Sequence, residues 1–184
     1  AKIQRLFELA KLFAKNQMLH KIEKFCDLLM AQVCIMSDYS DKAEHIIVDI
    51  IQSGKNSGMS DIQMLAWYFM SCLYIKEKHY DLAYGVINNA LIFLEKSSFK
   101  NDYISMILKY NLYKVFTMKR DLEKAAICLN QAVGIAQKYG IVFEFKQIEP
   151  PPEEEVQQIE INESDYYDRQ PSLDEISDDD FQFE

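Results

Sequence analysis

Residues 64–91 read MLAWYFMSCLYIKEKHYDLAYGVINNAL, and their spacing decides the architecture. Trp67, Met70, Ser71 and Tyr74 recur at three- and four-residue steps, and so do Ala83, Ile87 and Ala90. Such steps put side chains on one face of an α-helix. Tyr80-Asp81 falls between the two runs and reads as part of a turn. Small residues at Ala83 and Ala90 let two antiparallel helices approach closely, while Trp67 and Tyr74 fill the gaps beside them. One such pair cannot bury its apolar face alone, so it needs stacked neighbours.

Those neighbours are visible in the sequence. Ala43-Ile47-Ile50, Ala83-Ile87-Ala90 and Ala125-Leu129-Ala132 share one spacing, at offsets of 40 and 42 residues. A further step of 40 back from Ala43 lands on Ile3, Phe7 and Ala10. The chain therefore reads as opening inside the second helix of an earlier unit, as a piece of a longer protein. Apolar periodicity predicts helices over 1–15, 18–36, 40–53, 60–77, 80–96, 101–118 and 122–138, with Ser60 as a helix cap. The breaks fall at the turn-type clusters 37–40, 53–58, 97–98 and 138–140.

The unit from Met64 to Leu91 resembles a tetratricopeptide repeat (TPR). Trp67, Met70, Ser71 and Tyr74, then Ala83, Ile87 and Ala90, follow that family's aromatic, large, small, aromatic, then Ala, bulky, Ala pattern. The unit from Met106 to Val133 is similar through Leu112, Phe116, Ala125, Leu129 and Ala132, and departs at Tyr113, where the family prefers a small residue. The unit from Lys24 to Ile51 is the faintest, with Met30, Ala31, Cys34, Ala43 and Ile47. The resemblance implies an all-α, right-handed superhelical solenoid of antiparallel helix pairs over 1–140: a half unit at 1–17 and units at 18–58, 59–100 and 101–140. Repeats of 40 and 42 residues imply longer helices than the family's usual unit.

In that family the first helix of each pair lines a concave groove where peptides lie. The resemblance places Phe25, Leu28, Gln32, Ile35 and Met36 there from the first pair. The second pair brings Leu65, Tyr68, Phe69, Cys72, Ile75 and Lys76, and the third Ile107, Tyr110, Asn111, Lys114 and Met118. Clamping an acidic chaperone tail needs Lys, Arg and Asn on successive units, and here Asn111 and Lys114 share one unit. An aromatic, Met-bearing groove instead suits an amphipathic helix or an extended apolar peptide. The competing reading of the same stripe is core packing.

Composition bounds the rest. The 184 residues are 49% hydrophobic and 27% charged, enough for a core that needs no disulfide or metal. Five Gly and four Pro are too few for a β-sandwich or a phosphate-cradling loop. The net charge of −9 is uneven: residues 149–184 hold fourteen Asp and Glu against Arg169 alone, leaving a mildly basic body. An acidic tail repels phosphate, and the basic positions are scattered, which argues against nucleic acid. Cys26, Cys34, Cys72 and Cys128 form no C-x-x-C pair and read as reduced apolar side chains. His20, His45 and His79 lie apart, no catalytic or metal motif is present, and Asp178–Asp180 lacks the ligand spacing of a calcium loop. No catalytic residue, cofactor or metal site is expected, and no membrane span. With no targeting signal visible, the chain reads as cytoplasmic, a periplasmic or envelope site being the alternative if the parent chain extends further. Its Lys, Ile, Asn and Tyr content hints at an AT-rich bacterial genome.

Beyond Gly140 the pattern changes. Ile141-Val142-Phe143-Glu144-Phe145 alternates weakly and is expected to run extended along the last helix pair. Pro150-Pro151-Pro152 favours a stiff extended linker. The acidic tail, 141–184 as a whole, carries Ile159, Ile161, Tyr166, Tyr167, Phe181 and Phe183 spaced like anchors. Its acidic part, 149–184, is expected to dock on a basic or apolar surface of its own body, of another copy or of a partner. Two functions follow as expectations. One is a non-catalytic scaffold or adaptor holding an assembly together. The other is a regulatory or chaperone-like module whose tail competes as an intramolecular ligand.

Overall fold

The computed structural model describes residues 2–54, 59–96 and 101–152. Among these residues there are seven α-helices and no strand: α1 (Lys2–Asn16), α2 (His20–Met36), α3 (Ser40–Gly54), α4 (Ser60–Lys76), α5 (Tyr80–Lys96), α6 (Asp102–Met118) and α7 (Leu122–Tyr139). Every predicted helix is present within two residues of its expected ends. Ser60, expected as a cap, is instead the first residue of α4, and Met59 before it makes no side-chain capping bond. Side chains cap the starts of α6 and α7. The Asn101 carboxamide oxygen accepts from the Ile104 amide at 3.0 Å, and the Asp121 carboxylate accepts from the Lys124 amide at 3.2 Å.

One turn is used again and again. Met18, Asp38, Lys78 and Arg120 each adopt the left-handed conformation, with φ between 57° and 63°. In each case the next residue's amide reaches back to a carbonyl five residues earlier. Leu19 donates to Ala14, Tyr39 to Cys34, His79 to Tyr74 and Asp121 to Phe116, at 2.8–3.0 Å. This is the Schellman closure of a helix C-terminus, usually made by glycine. Gly140 makes the same closure after α7, with Ile141 donating to Ala136 at 2.8 Å. The turns after α2, α4 and α6 thus recur at the 40- and 42-residue offsets of the apolar pattern.

Each helix packs on the next in sequence, and α2 also packs on α4 and α4 on α6. The small residues Ala43, Ala83, Ala90, Ala125 and Ala132 are buried at these contacts, with Trp67 and Tyr74 buried beside them. Polar groups fix the register along the edge formed by the turns. Lys76 pairs with Asp38, Lys119 pairs with Asp81, Ser40 Oγ donates to Glu77 at 2.5 Å, and Tyr74 Oη donates to Glu44 at 2.7 Å. Exposed pairs of this kind contribute about 0–1 kcal/mol each, so they set alignment more than stability. At the other end of the array, Ile3, Leu6, Leu9 and Phe13 of α1 remain exposed.

Residues 141–152 form no regular secondary structure but are held against α6. Ile141, Phe143 and Phe145 are half-buried while Val142 and Glu144 between them are exposed, Val142 fully. The alternation read from the sequence therefore appears as alternating burial over 141–145, with the segment lying against α6. The tail anchors Ile159, Ile161, Tyr166, Tyr167, Phe181 and Phe183 lie outside the described residues, as do residues 55–58 and 97–100 in the connections before α4 and α6.

Candidate interaction surface

The residues expected to line a groove divide into three groups. On α2, Leu28 and Ile35 are buried, whereas Phe25, Gln32 and Met36 are exposed. On α4, Leu65, Tyr68, Phe69, Cys72 and Ile75 are half-buried, and they form a continuous, partly open apolar strip. The rings of Tyr68 and Phe69 sit 5.4 Å apart. On α6, Ile107, Tyr110 and Asn111 are buried, with Lys114 and Met118 half-buried. So α4 keeps a partly open apolar strip, and α6 is largely covered.

Asn111 and Lys114 are engaged within the protein. The Asn111 amide donates to Ser71 Oγ at 2.9 Å and to Cys72 Sγ at 3.6 Å, tying α6 to α4. Its oxygen accepts from Lys114 Nζ at 3.1 Å, and that ammonium lies 4.7 Å from the centre of the Tyr110 ring. Ser71 Oγ in turn donates to the Tyr68 carbonyl at 2.7 Å, so each member of the chain has a partner. Burial lowers the pKa of Lys114 and raises that of Tyr68, which is also raised by its bond to Cys72. This network sits where α4 and α6 meet, between the predicted groove positions. Lys76 is likewise engaged, donating to the Ile35 carbonyl and to Asp38.

What covers α6 is the chain itself. Tyr110 Oη donates to the Lys146 carbonyl and accepts from the Lys146 amide, both at 2.9 Å. Tyr113 Oη accepts from the Ile148 amide at 2.9 Å, and Arg120 donates to the Pro151 carbonyl at 2.8 Å. The rings of Phe143 and Phe145 stand edge-on to Tyr110, at 5.5 and 5.4 Å. Partners in chain order on α6 and its turn meet partners in chain order beyond Gly140, so this strap runs in the same direction as α6. The eight helical steps from Tyr110 to Met118 rise about 12 Å and the turn carries Arg120 further, while five residues of nearly extended chain cover about 17 Å, so the two tracks keep step. Burial raises the Tyr110 pKa.

The thiols and imidazoles have ordinary structural places. All four cysteines are free; Cys26, Cys34 and Cys128 are buried, and burial raises the pKa of Cys26 and Cys128. His20 and His45 are exposed; His79 is half-buried beside Tyr74, and burial lowers its pKa. Among the described residues no group of His, Cys, Asp and Glu is arranged to hold a metal ion. Among them, too, no helix is long and apolar enough to cross a membrane. Compared with protein-family models, with curated proteins and with solved structures, the chain matches none.

The sequence pattern flagged Tyr110 but missed the role of Tyr113. Its signal was present as the departure from the small residue found at Ser71. Superposing the turns at Lys78 and Arg120 sets Tyr68 opposite Tyr110 and Ser71 opposite Tyr113.

Proposed function

We propose that this chain is a non-catalytic protein-interaction scaffold or adaptor, built as a TPR-like solenoid whose first helices form a concave partner-binding face. The observation that supports this most is the recurring turn at Asp38, Lys78 and Arg120, which joins each first helix to its second while α2, α4 and α6 touch in sequence. Identical turns with successive contacts are what stacked helix pairs require. The half-buried strip of Leu65, Tyr68, Phe69, Cys72 and Ile75 on α4 is the face offered to a partner. Its apolar and aromatic character suits an amphipathic helix or an extended apolar segment.

A photoreactive amino acid at Phe69 of the full chain, expressed in cells, tests the reading. The control is the same residue at Ile92, an exposed position on α5. Protein adducts from position 69 and none from 92 support a partner face on the first helices. The reverse pattern, or adducts at neither, removes it.

The second reading, a regulatory or chaperone-like module with an internal competitor, is favoured by the strap on α6. There the internal ligand is the neutral-to-acidic start of the tail, residues 141–152, held by aromatic packing and backbone bonds.

A further inference from the structure

On α4, Ser71 is small enough for α6 to approach, and it accepts the Asn111 amide from that helix. On α6 the corresponding residue is Tyr113, buried, with its hydroxyl spent on the Ile148 amide of the strap. The strap therefore takes, on α6, the place that α6 takes on α4. A tyrosine at this position blocks the close approach of another helix and leaves space for an extended chain.

The contacts also specify what kind of chain fits. Tyr110 reads both the amide and the carbonyl of Lys146, Tyr113 reads the Ile148 amide, and Arg120 reads the Pro151 carbonyl. These are backbone groups, present in any extended segment. Side-chain demand is limited to a few apolar residues: Ile141, Phe143 and Phe145 alternate inward, then Ile148 follows three residues on, with Pro151 buried at the far end. Alternation of inward and outward side chains is how an extended peptide is recognised on a surface that also bonds its backbone. The strap has no secondary structure of its own, and its inward side chains before Pro151 are only half-buried.

We infer that the Tyr110–Tyr113–Arg120 row is a binding track for an extended protein segment, apolar at alternate positions and closing on a proline. Residues 141–152 are its exchangeable resident, and a partner segment of the same chemistry enters by replacing them. This rests on the partner-binding reading above and narrows it, since the surface on α6 takes extended chain and excludes a helix.

The probe is a fluorescein-labelled peptide of residues 141–152, titrated against the full chain. It is also titrated against the full chain carrying Phe143→Ser and Phe145→Ser, which weakens the resident strap. The peptide binds the weakened chain at least about tenfold more tightly than the unchanged one. Tyr110→Phe, which keeps the ring but removes two backbone bonds, then costs about tenfold, and Tyr113→Phe costs about two- to tenfold. A peptide with its two phenylalanines moved by one residue does not compete. A weakened chain that keeps its helical signal yet ignores the peptide, or that takes the shifted peptide equally well, overturns the inference.

Hydrogen exchange on the unchanged chain decides the matter even where the double variant unfolds. Lys146 and Ile148 amides exchanging well before those of α6 mean that the strap leaves a folded body. Exchange together with α6 means a permanent seal and overturns exchangeability. Because the probe is the chain's own segment, a negative result leaves the Phe69 crosslinking outcome untouched. A positive one stands without any partner having been found.

Discussion

Asn111 separates a groove residue from a structural one, and replacing it by alanine is the most direct test. The side chain is 2% exposed and joins α6 to α4 through Ser71, 40 residues earlier. The substitution removes a neutral hydrogen bond to Ser71, worth about 1 kcal/mol, and a weaker contact to Cys72. It also leaves a small void, adding about 1 kcal/mol, while alanine's better helix propensity returns about 0.5 kcal/mol. Lys114 loses an acceptor but is half-buried and swings toward water, so that loss is small. The net expectation is a destabilisation of about 2 kcal/mol, or about 4–8 °C in Tm for a chain of this size. Urea unfolding followed by circular dichroism measures it, with Ser71→Ala and the double variant completing a cycle. The two residues share one bond, so the cycle returns a coupling of about 1 kcal/mol. A loss under about 0.5 kcal/mol, or additive singles, refutes the bridging role and returns Asn111 to the proposed partner face.

Three further outcomes are expected. Ala83→Leu forces three extra carbons into the fully buried contact between α4 and α5 and costs about 1–3 kcal/mol in the same unfolding assay; unchanged stability would mean that the helix pair is not close-packed there. Met18 holds φ +57° with its side chain exposed, so Met18→Gly relieves left-handed strain of about 1–2 kcal/mol at an entropic cost of about 0.5–1 kcal/mol. A gain of about 0.5–1 kcal/mol follows, and a loss would show that the Met18 side chain contributes more than its exposure suggests. Burial depresses the His79 pKa, so below the ordinary histidine value the unfolded chain takes up a proton that the folded one refuses. Stability therefore falls as pH drops from about 6.5 through the folded value, and His79→Gln flattens that part of a Tm-against-pH curve. An unaltered slope would assign the acid sensitivity to other groups.

The helices themselves were legible residue by residue, because a helix is a local object. The steps of Trp67, Met70 and Tyr74 or of Ala83, Ile87 and Ala90 mark an apolar face whatever lies against it. The 40- and 42-residue recurrence located the repeated turns, although their shared left-handed residue was not visible. Met18, Asp38, Lys78 and Arg120 have no chemistry in common, and their conformation is imposed by the bonds that close each helix end.

Periodicity says which face is apolar but not which neighbour covers it. Leu65, Tyr68, Phe69 and Cys72 stayed partly open, while Ile107, Tyr110 and Asn111 at similar helical positions became buried. That difference depends on contacts made across 35 to 40 residues, with Ser71 on one side and Lys146 and Ile148 on the other. Tyr113 shows the same division. As a sequence feature it is a large residue in a small residue's place. Only the packed chain turns it into a bar against one kind of neighbour and an anchor for another. The sequence alone determined the helices, their ends to within two residues and their amphipathic faces, since these follow from interactions within a turn or two. The tertiary structure decided which of those faces stay open and which are covered, since burial depends on what the rest of the chain brings alongside.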